Sequence, residues 1–466
     1  MKIQIYILIL FCIVIFLRSS HSLEIYRNNL QKDQVEIQML WKEDSASCWQ
    51  SQNGILIYIP SCEQYKPGSY LRVIGSLSDR SDSNKNQQKT MVARQISQIY
   101  MPRTSPKYWF LLWWGSMANL RRNLLELVRQ VLGYSGGSLL FSLVLGGSKH
   151  LPEEVQAGVD NLGLIYIFSA SGMHVGILLE MIDSRIKLFQ AKHRLWLQVL
   201  ALFIYGSISL WRPAIVRSII MALYRLFARL IWHKSSSPLM GLVWAILFML
   251  LINPLWILEV GFLMSVVATL AILVVSKMSR GQNKYLLWEM GETSHGDSSK
   301  ILSLGYTWQQ KLWQKIKTYT RETAVFSLTA QLALLPLVIR TFGSWSYLGI
   351  ISSCLSLWAL PYVFRLGIRI FILLFFLSLT EIVMPNFKQW LEVWLHLLQL
   401  LTLPARGWLH GLSQVLSATS KLTWTKIAIS LSSITHIWMW YIGWCTAIYT
   451  WYQARKYYSY QPKKEI

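Results

Sequence analysis

"IFSASGMHVGILLEM", residues 167–181, is apolar enough to lie in a bilayer, yet serines, a glycine and a histidine interrupt its first half. Polar groups inside a membrane span are costly, so they usually face a cavity or a neighbouring helix. Ser171, Gly172 and His174 are therefore the first candidates for a functional site. The alternative is that the small residues are ordinary helix packing and that His174 hydrogen-bonds to a neighbouring helix.

The composition around this stretch predicts the fold class. Apolar residues make up 53% of the 466 residues and charged residues 14%, which leaves too few polar side chains to cover a soluble protein of this length. We therefore predict a polytopic α-helical membrane protein, with about ten spans including an N-terminal anchor. The other spans are expected at residues 161–181, 195–211, 213–232, 236–253, 259–276, 324–340, 346–364, 367–383 and 426–449.

The N-terminal part is predicted to lie mostly outside the membrane. Residues 1–22 begin with Lys2 and an apolar run, which is typical of a membrane anchor or, alternatively, of a signal peptide. Residues 23–105 contain alternating runs such as "GILIYI" and "YLRVIGSL", which predict short strands. We expect a small extracytoplasmic β-barrel of the OB type, in which a disulfide between Cys48 and Cys62 is plausible.

The segments that follow differ in their relation to the bilayer. Residues 106–135 mix tryptophans with arginines, which predicts an interfacial amphipathic helix. Residues 136–147 are apolar but too short to cross, so we expect a re-entrant segment. The polytopic domain extends over residues 136–450, with residues 388–404 along its outer surface. With the N-terminus inside, the basic residues of the loops and of the tail, residues 451–466, fall on the cytoplasmic side.

The net charge allows two interpretations. The 45 Lys and Arg against 22 Asp and Glu give a formal charge of +23. The excess suits the positive-inside bias and anionic lipid headgroups. It also suits a polyanionic cargo whose phosphates need cationic partners.

Four arginines in one predicted span sharpen the second interpretation. Arg212, Arg217, Arg225 and Arg229 are candidate phosphate contacts, and the last three fall within roughly a third of the helix circumference. A row of this kind could guide a polyanion along the span. Alternatively, Arg212 and Arg229 reach to opposite membrane surfaces, and only the two middle arginines need a partner.

The stretch from residue 136 to 181 resembles the ComEC family of DNA-uptake competence proteins. Members carry a turn similar to "LxxLxxGD", a linker similar to "LPxE" and a helix reading "SGLHV". Here the linker is "LPE", residues 151–153, and the helix reads "SGMHV", residues 171–175. The turn reads Gly146-Gly147, so the acidic residue usual in the family is missing.

The resemblance continues downstream, in the family's order, to about residue 365. "RPAIVRSIIM" is similar to "PSVLRAxIM", "NPLWILEVGFLMS" to "DPxxLxxxGFQLS", and "TAQLALLPLVIRTF" to "QxxTxPLxxxxF". Asn253 and Ser356 replace an Asp and an Asn of the family. The motif positions that match are Ser171, Gly172, His174, Arg217, Gly261, Phe262, Ser265, Gln331 and Pro336.

The resemblance implies a multi-pass channel of the cell inner membrane that translocates single-stranded DNA into the cytoplasm during natural transformation. It implies a periplasmic DNA receptor, a separate nuclease and a cytoplasmic motor or helicase as partners, and a homodimer is one option for the assembly. Many members also carry a metallo-β-lactamase-like domain. No His-x-His-x-Asp-His cluster occurs here, so we expect the short form, with no catalytic residue, metal or cofactor.

Two other functions remain open from the residues. A transporter of another, small anionic substrate would use the same arginines. An intramembrane serine hydrolase would use Ser171 and His174, although a Ser and a His three positions apart on one helix leave no evident oxyanion hole.

Overall fold

The computed structural model describes the chain in segments: residues 18, 35–40, 49–52, 55–60, 62–65, 69–79, 89–99, 106–164, 167–168, 172–186, 190–231, 237–279, 308–342, 344–383, 396, 398–399, 402–421, 426–428, 439–443 and 446. The predicted tail, residues 451–466, and all of the predicted anchor except residue 18 lie outside these segments. The anchor, the tail and their topology therefore stay predictions.

Five strands near the N-terminus form one sheet in the order β1-β4-β5-β3-β2. They are β1 Val35–Leu40, β2 Trp49–Gln52, β3 Ile55–Tyr58, β4 Tyr70–Asp79 and β5 Lys89–Gln98. The β3–β5 pair is parallel and the other pairs are antiparallel. The alternation of apolar and polar residues decides which side chains of β4 face the core: Leu71 and Val73 are buried, whereas Arg72 between them is exposed. Within the described residues β1 and β2 are the two edges of the sheet, so the predicted closed OB-type barrel stays a prediction.

The predicted disulfide is supported at one of its two ends. Cys62 lies in a short 3-10 turn, Cys62–Gln64, and is disulfide-bonded. Its predicted partner, Cys48, lies outside the described residues. Cys354, by contrast, is a free cysteine.

The rest of the described chain is mainly helical. Prolines at or next to the first turn begin several of the helices, where the missing N–H has no helical partner to lose. The helices are α1 Pro106–Leu132, α2 Tyr134–Leu145, α3 Glu153–Asn161, α4 Gly172–Arg185, α5 Ala191–Ile208, α6 Pro213–Ile231, α7 Pro238–Ile252, α8 Val260–Ser279, α9 Trp308–Phe342, α10 Gly349–Val383 and α11 Leu403–Thr419.

Within the described part of the chain, three helices contain a segment long and apolar enough to cross a membrane: Val260–Lys277 in α8, Thr323–Thr341 in α9 and Ala359–Phe376 in α10. Two shorter helices, α2 and α7, are also apolar. The mostly helical fold with apolar spans confirms a membrane-protein architecture, whereas about ten spans stays a prediction.

Four of the predicted spans are wrong in their bounds. The single helix α10 replaces two spans that were separated at Arg365, because that side chain forms an ion pair with Glu180 of α4 and needs no loop. Residues 162–164 and 167–168, inside the span predicted at 161–181, are not helical, and helix α4 begins at Gly172. Residues 426–428, placed in the last span, form strand β7, which pairs with β6, Ser344–Ser346.

The segment predicted to be an interfacial helix has two different halves. In the first half of α1, Trp109, Phe110 and Leu112 are exposed. In the second half, Leu124 and Val128 are buried in the main core with α2, which is buried from Gly136 to Leu145. The amphipathic pattern therefore marks a helix that enters the core of the helical domain at its C-terminal end.

Helix α11, which the sequence did not predict, packs closely on α3. A Cβ atom added to Gly158 would lie 1.7 Å from the carbonyl oxygen of Leu416, so only a glycine lets the two backbones approach this far. The Asn161 side chain donates to the carbonyls of Thr419 and Ser420, at 3.1 and 2.9 Å. These bonds satisfy carbonyls that the end of α11 leaves without helical partners.

Candidate functional site

His174 and Gly172 begin helix α4, and the structure buries the histidine completely. The His174 side chain has 0% exposure, and its ring centroid lies 4.8 Å from that of Phe364 on α10. Glu180, two turns further along α4, accepts a hydrogen bond from Arg365 at 2.8 Å. The ring contact and the ion pair both link helix α4 to α10. Ser171 lies outside the described residues.

Arg217 on α6 is the most deeply buried of the four predicted phosphate contacts, with 5% exposure. Its Nε donates to Ser265 Oγ of α8 at 2.5 Å, and its Nη2 donates to Ser218 Oγ at 3.4 Å. A third N–H points at the sulfur of Met221, 3.4 Å away. Among the described residues, no carboxylate oxygen lies within 4.0 Å of the guanidinium nitrogens of Arg217, so none of them forms an ion pair with it.

The first turn of α4 lies against the same guanidinium. A Cβ added to Gly172 would be 3.4 Å from Ser218 Oγ and 3.9 Å from Arg217 Nη2. Three of the predicted motifs therefore meet at one place, through Gly172, Arg217 and Ser265, and we call this the three-helix junction. The N-terminus of a helix carries a partial positive charge. Together with the arginine it gives the junction a positive potential that favours an anion.

A local turn places Ser265 in this junction. The side chain of Asn253, at the end of α7, accepts a hydrogen bond from the backbone N–H of Leu255 at 3.1 Å. The 3-10 turn Pro254–Leu258 then leads into α8. Phe262 is 3% exposed and belongs to an apolar cluster with Val216 of α6, which fixes α8 against α6. Gly261, one residue earlier, is exposed.

The comparison with known families covers this junction. A family model described as "Competence protein" matches residues 143–454, two thirds of the chain. The chain belongs to the Competence protein family. A curated relative, ComE operon protein 3 of Bacillus subtilis (strain 168), is 23% identical over 236 residues, covering 50% of this chain and 26% of the relative. The chain thus matches about a quarter of that relative's length. No solved structure matches it.

A second motif of the Competence region lies at another contact. Gln331 of α9 donates through Nε2 to the carbonyl of Gly349 at 2.5 Å and to Ser353 Oγ, both on α10. Pro336 is buried inside α9. Gln331 thus joins α9 to the start of α10.

The other predicted phosphate contacts are in different surroundings. Arg212 and Arg225 are half-buried, and Arg229 is exposed near the end of α6. The four arginines therefore differ in how far they are exposed. A continuous row of phosphate contacts stays a prediction.

Arg121 was missed as a functional candidate, because the sequence placed it on an interfacial helix. It is 5% exposed and donates to the carbonyls of Leu145 at 3.1 Å, Gly146 at 2.5 Å and Ile208 at 3.2 Å. Its neighbour Arg122 is exposed. Two adjacent arginines on a helix point in directions about 100° apart, so they can face different surroundings. That angle was the only available signal.

Among the described residues no group of three or more His, Cys, Asp or Glu is placed to hold a metal ion.

Proposed function

We propose that this chain passes single-stranded DNA across the cell inner membrane into the cytoplasm during natural transformation. Membership of the Competence protein family supports a role in DNA uptake. The observation that carries the finer proposal is the buried Arg217 guanidinium at the three-helix junction, without a carboxylate partner among the described residues. We also propose that the chain has no catalytic step of its own.

A buried charge without an opposite charge is costly, because water no longer solvates it. Ser265 and Ser218 offer neutral acceptors, which satisfy N–H groups but leave the positive charge in place. A phosphate group would supply the missing negative charge while it passes Arg217. Guanidinium groups bind phosphate oxygens through paired N–H groups, so Arg217 suits this ligand in geometry as well as in charge.

Access to Arg217 requires the junction to open, because its side chain is 95% covered in this arrangement. Helix α4 is the element whose movement would uncover it, since Gly172 lies against the guanidinium. The contacts that resist that movement include the Glu180–Arg365 ion pair and the His174–Phe364 ring contact. We expect a DNA strand, drawn by its motor, to work against these contacts.

The test replaces Arg217 by methionine and uses Arg340→Met as the control, because Arg340 is exposed on α9 and is not one of the candidate phosphate contacts. In cells carrying the R217M variant, labelled DNA should accumulate outside the inner membrane, and transformation should fall at least a hundredfold. In cells carrying the R340M variant, transformation should fall less than threefold at equal protein level. Normal transformation with R217M would remove the site from the mechanism.

A transporter of small anions is the second candidate, because a buried arginine without a carboxylate would serve a small anion equally well. The two functions separate in vesicles that contain the purified chain. Uptake of phosphate or an organic anion that is unaffected by single-stranded DNA would favour the transporter. Labelling of the chain by a serine-reactive probe, lost on replacing Ser171, would favour a hydrolase instead.

The proposed partners follow from what the chain itself would not supply. A periplasmic receptor would deliver the DNA, a separate nuclease would produce the single strand, and a cytoplasmic motor or helicase would pull it. A homodimer is one arrangement of the channel, and cross-linking in intact membranes would detect it.

A further inference from the structure

A proline inside α9 leaves one backbone carbonyl without its helical partner. Pro336 lies within the helix and has no N–H, so the carbonyl of Leu332, four residues earlier, cannot accept the usual intrahelical hydrogen bond. The proline ring also crowds that carbonyl, which bends a helix at this point. We call Leu332, Ala333 and Pro336 the proline bend of α9.

The depth of the proline bend makes the free carbonyl unfavourable. The segment of α9 that is long and apolar enough to cross a membrane is Thr323–Thr341, and Leu332 is its central residue. At that depth no water replaces the lost hydrogen bond, so the carbonyl needs a donor from another part of the protein.

Two aromatic side chains near the C-terminal end of the chain supply donors. Residues 439–443 are helical, and Nε1 of Trp440 donates to the carbonyl of Leu332 at 3.1 Å. The hydroxyl of Tyr441 donates to the carbonyl of Ala333 at 3.2 Å. An indole N–H can only donate, so Trp440 supplies the kind of group that the proline lacks.

The residue next to the proline bend joins α9 to α10. Gln331 donates to the carbonyl of Gly349 and to Ser353 Oγ at the start of α10. Ser352, beside them, donates to the carbonyl of Leu162 at 2.9 Å, in the turn that follows α3. A change in the bend of α9 would therefore move the start of α10 and, through it, the turn that precedes α4.

We propose that Trp440 and Tyr441 are positioning residues for the passage of DNA. By bonding to the two carbonyls of the proline bend they fix the angle of α9, and the fixed angle holds Gln331 against the start of α10. The proposal rests on the proposed function and adds to it a role for residues 439–443.

The first test removes the indole N–H and measures hydrogen exchange of the full chain in nanodiscs. Trp440→Phe keeps an aromatic ring, and the side chain is 39% exposed, so the substitution leaves the core intact. The protection factors of the α9 amides after Pro336 should fall by about 3- to 18-fold, which is the strength of hydrogen bonds between membrane helices expressed as an equilibrium constant. Trp408→Phe removes the same N–H from an exposed tryptophan of α11 and should leave these protection factors unchanged.

A second substitution tests whether the proline is the reason for the bond. Pro336→Ala returns an N–H to the helix, so the carbonyl of Leu332 regains an internal partner. In that background Trp440→Phe should hardly change the protection factors. An equal loss in both backgrounds, or no loss in the parent background, would overturn the role of Trp440 at the proline bend.

A third measurement separates positioning from packing. At equal protein level, Trp440→Phe should lower transformation severalfold, and Gln331→Ala should lower it at least as much. The double variant should fall no further than Gln331→Ala, because Trp440 acts through Gln331. Full transformation with Trp440→Phe, or an additional loss in the double variant, would overturn the positioning role.

The proposed function fails by a different result. If a strain lacking the chain transforms normally, the DNA assignment is wrong and the positioning role is wrong with it. The exchange measurements on Trp440→Phe and Pro336→Ala need no DNA, so they would still show whether the contact fixes the bend.

Discussion

Replacing Arg217 by methionine is expected to make the chain more stable and inactive. Arg217 is the fifth residue of α6, which was predicted to span the membrane, and an arginine at the centre of a span costs about 2.5–3.5 kcal/mol in insertion measurements. The hydrogen bond from Arg217 Nε to Ser265 Oγ is partly buried and charge-assisted, and hydrogen bonds between membrane helices contribute at most about 1.7 kcal/mol. The charge outweighs the bond. The free energy of unfolding should therefore rise by about 1–2 kcal/mol in the R217M variant.

A double-mutant cycle measures both terms. Unfolding of the purified chain by SDS in mixed micelles would compare the parent, R217M, Ser265→Ala and the double variant. Ser265→Ala should destabilise the parent by about 1–1.7 kcal/mol and should have almost no effect once Arg217 is methionine. The reasoning is refuted if R217M destabilises the chain by more than about 1 kcal/mol, because Arg217 would then hold the bundle together.

Three further predictions concern packing and cross-links. Gly158→Ala should destabilise the helical domain by at least about 2 kcal/mol, because the new Cβ clashes with α11. Gly176→Ala is the control and should be neutral or stabilising, since no atom lies within 4 Å of its new Cβ. Thermal unfolding measures both effects. Asn161→Asp keeps the shape of the side chain but cannot donate hydrogen bonds to the last carbonyls of α11. The free energy of unfolding should therefore fall by about 1–3 kcal/mol in the same assay. An unchanged melting temperature would contradict the role of those bonds. Cys62→Ser should lower the free energy of unfolding by about 2–5 kcal/mol. If Cys48 is the partner, the variant with both cysteines replaced should be no less stable than Cys62→Ser alone. Non-reducing electrophoresis of protease fragments checks the pairing.

Helices whose ends carry their own chemical signals were predicted well. The spans expected at residues 213–232 and 236–253 correspond to α6, Pro213–Ile231, and α7, Pro238–Ile252. In both, a proline stands at the start, where it fits best. Continuous apolar sequence then predicts the length. These two helices needed no information from the rest of the fold.

The errors arose where a tertiary contact changes the meaning of a local pattern. Arg365 was taken as the end of a span, but Glu180 from another helix forms an ion pair with it inside α10. Arg121 was taken as a surface residue, but three carbonyls from two helix ends surround it. A charged residue in apolar sequence does not reveal its partner, because the partner lies far away in the chain.

The candidate site was predictable as a set of residues and not as an arrangement. Gly172, Arg217 and Ser265 were each identified from motifs, and the structure brings them together in the three-helix junction. Gln331 was identified in the same way, yet it contacts the start of α10 instead. The order of motifs along a chain gives no distances, and only the packing of α4, α6 and α8 supplies them.

The length of α10 has a consequence for how the protein sits in its membrane. Its 35 residues measure about 52 Å at 1.5 Å per residue, whereas the hydrocarbon layer is about 30 Å thick. Even at a steep tilt of 40° the rod projects about 40 Å. The apolar segment Ala359–Phe376 leaves ten residues of the helix before it and seven after it, so the excess length is divided between the two ends. Pro361 removes one backbone bond near the start of that segment, so the N-terminal end can bend there while Arg365 ties the helix to α4.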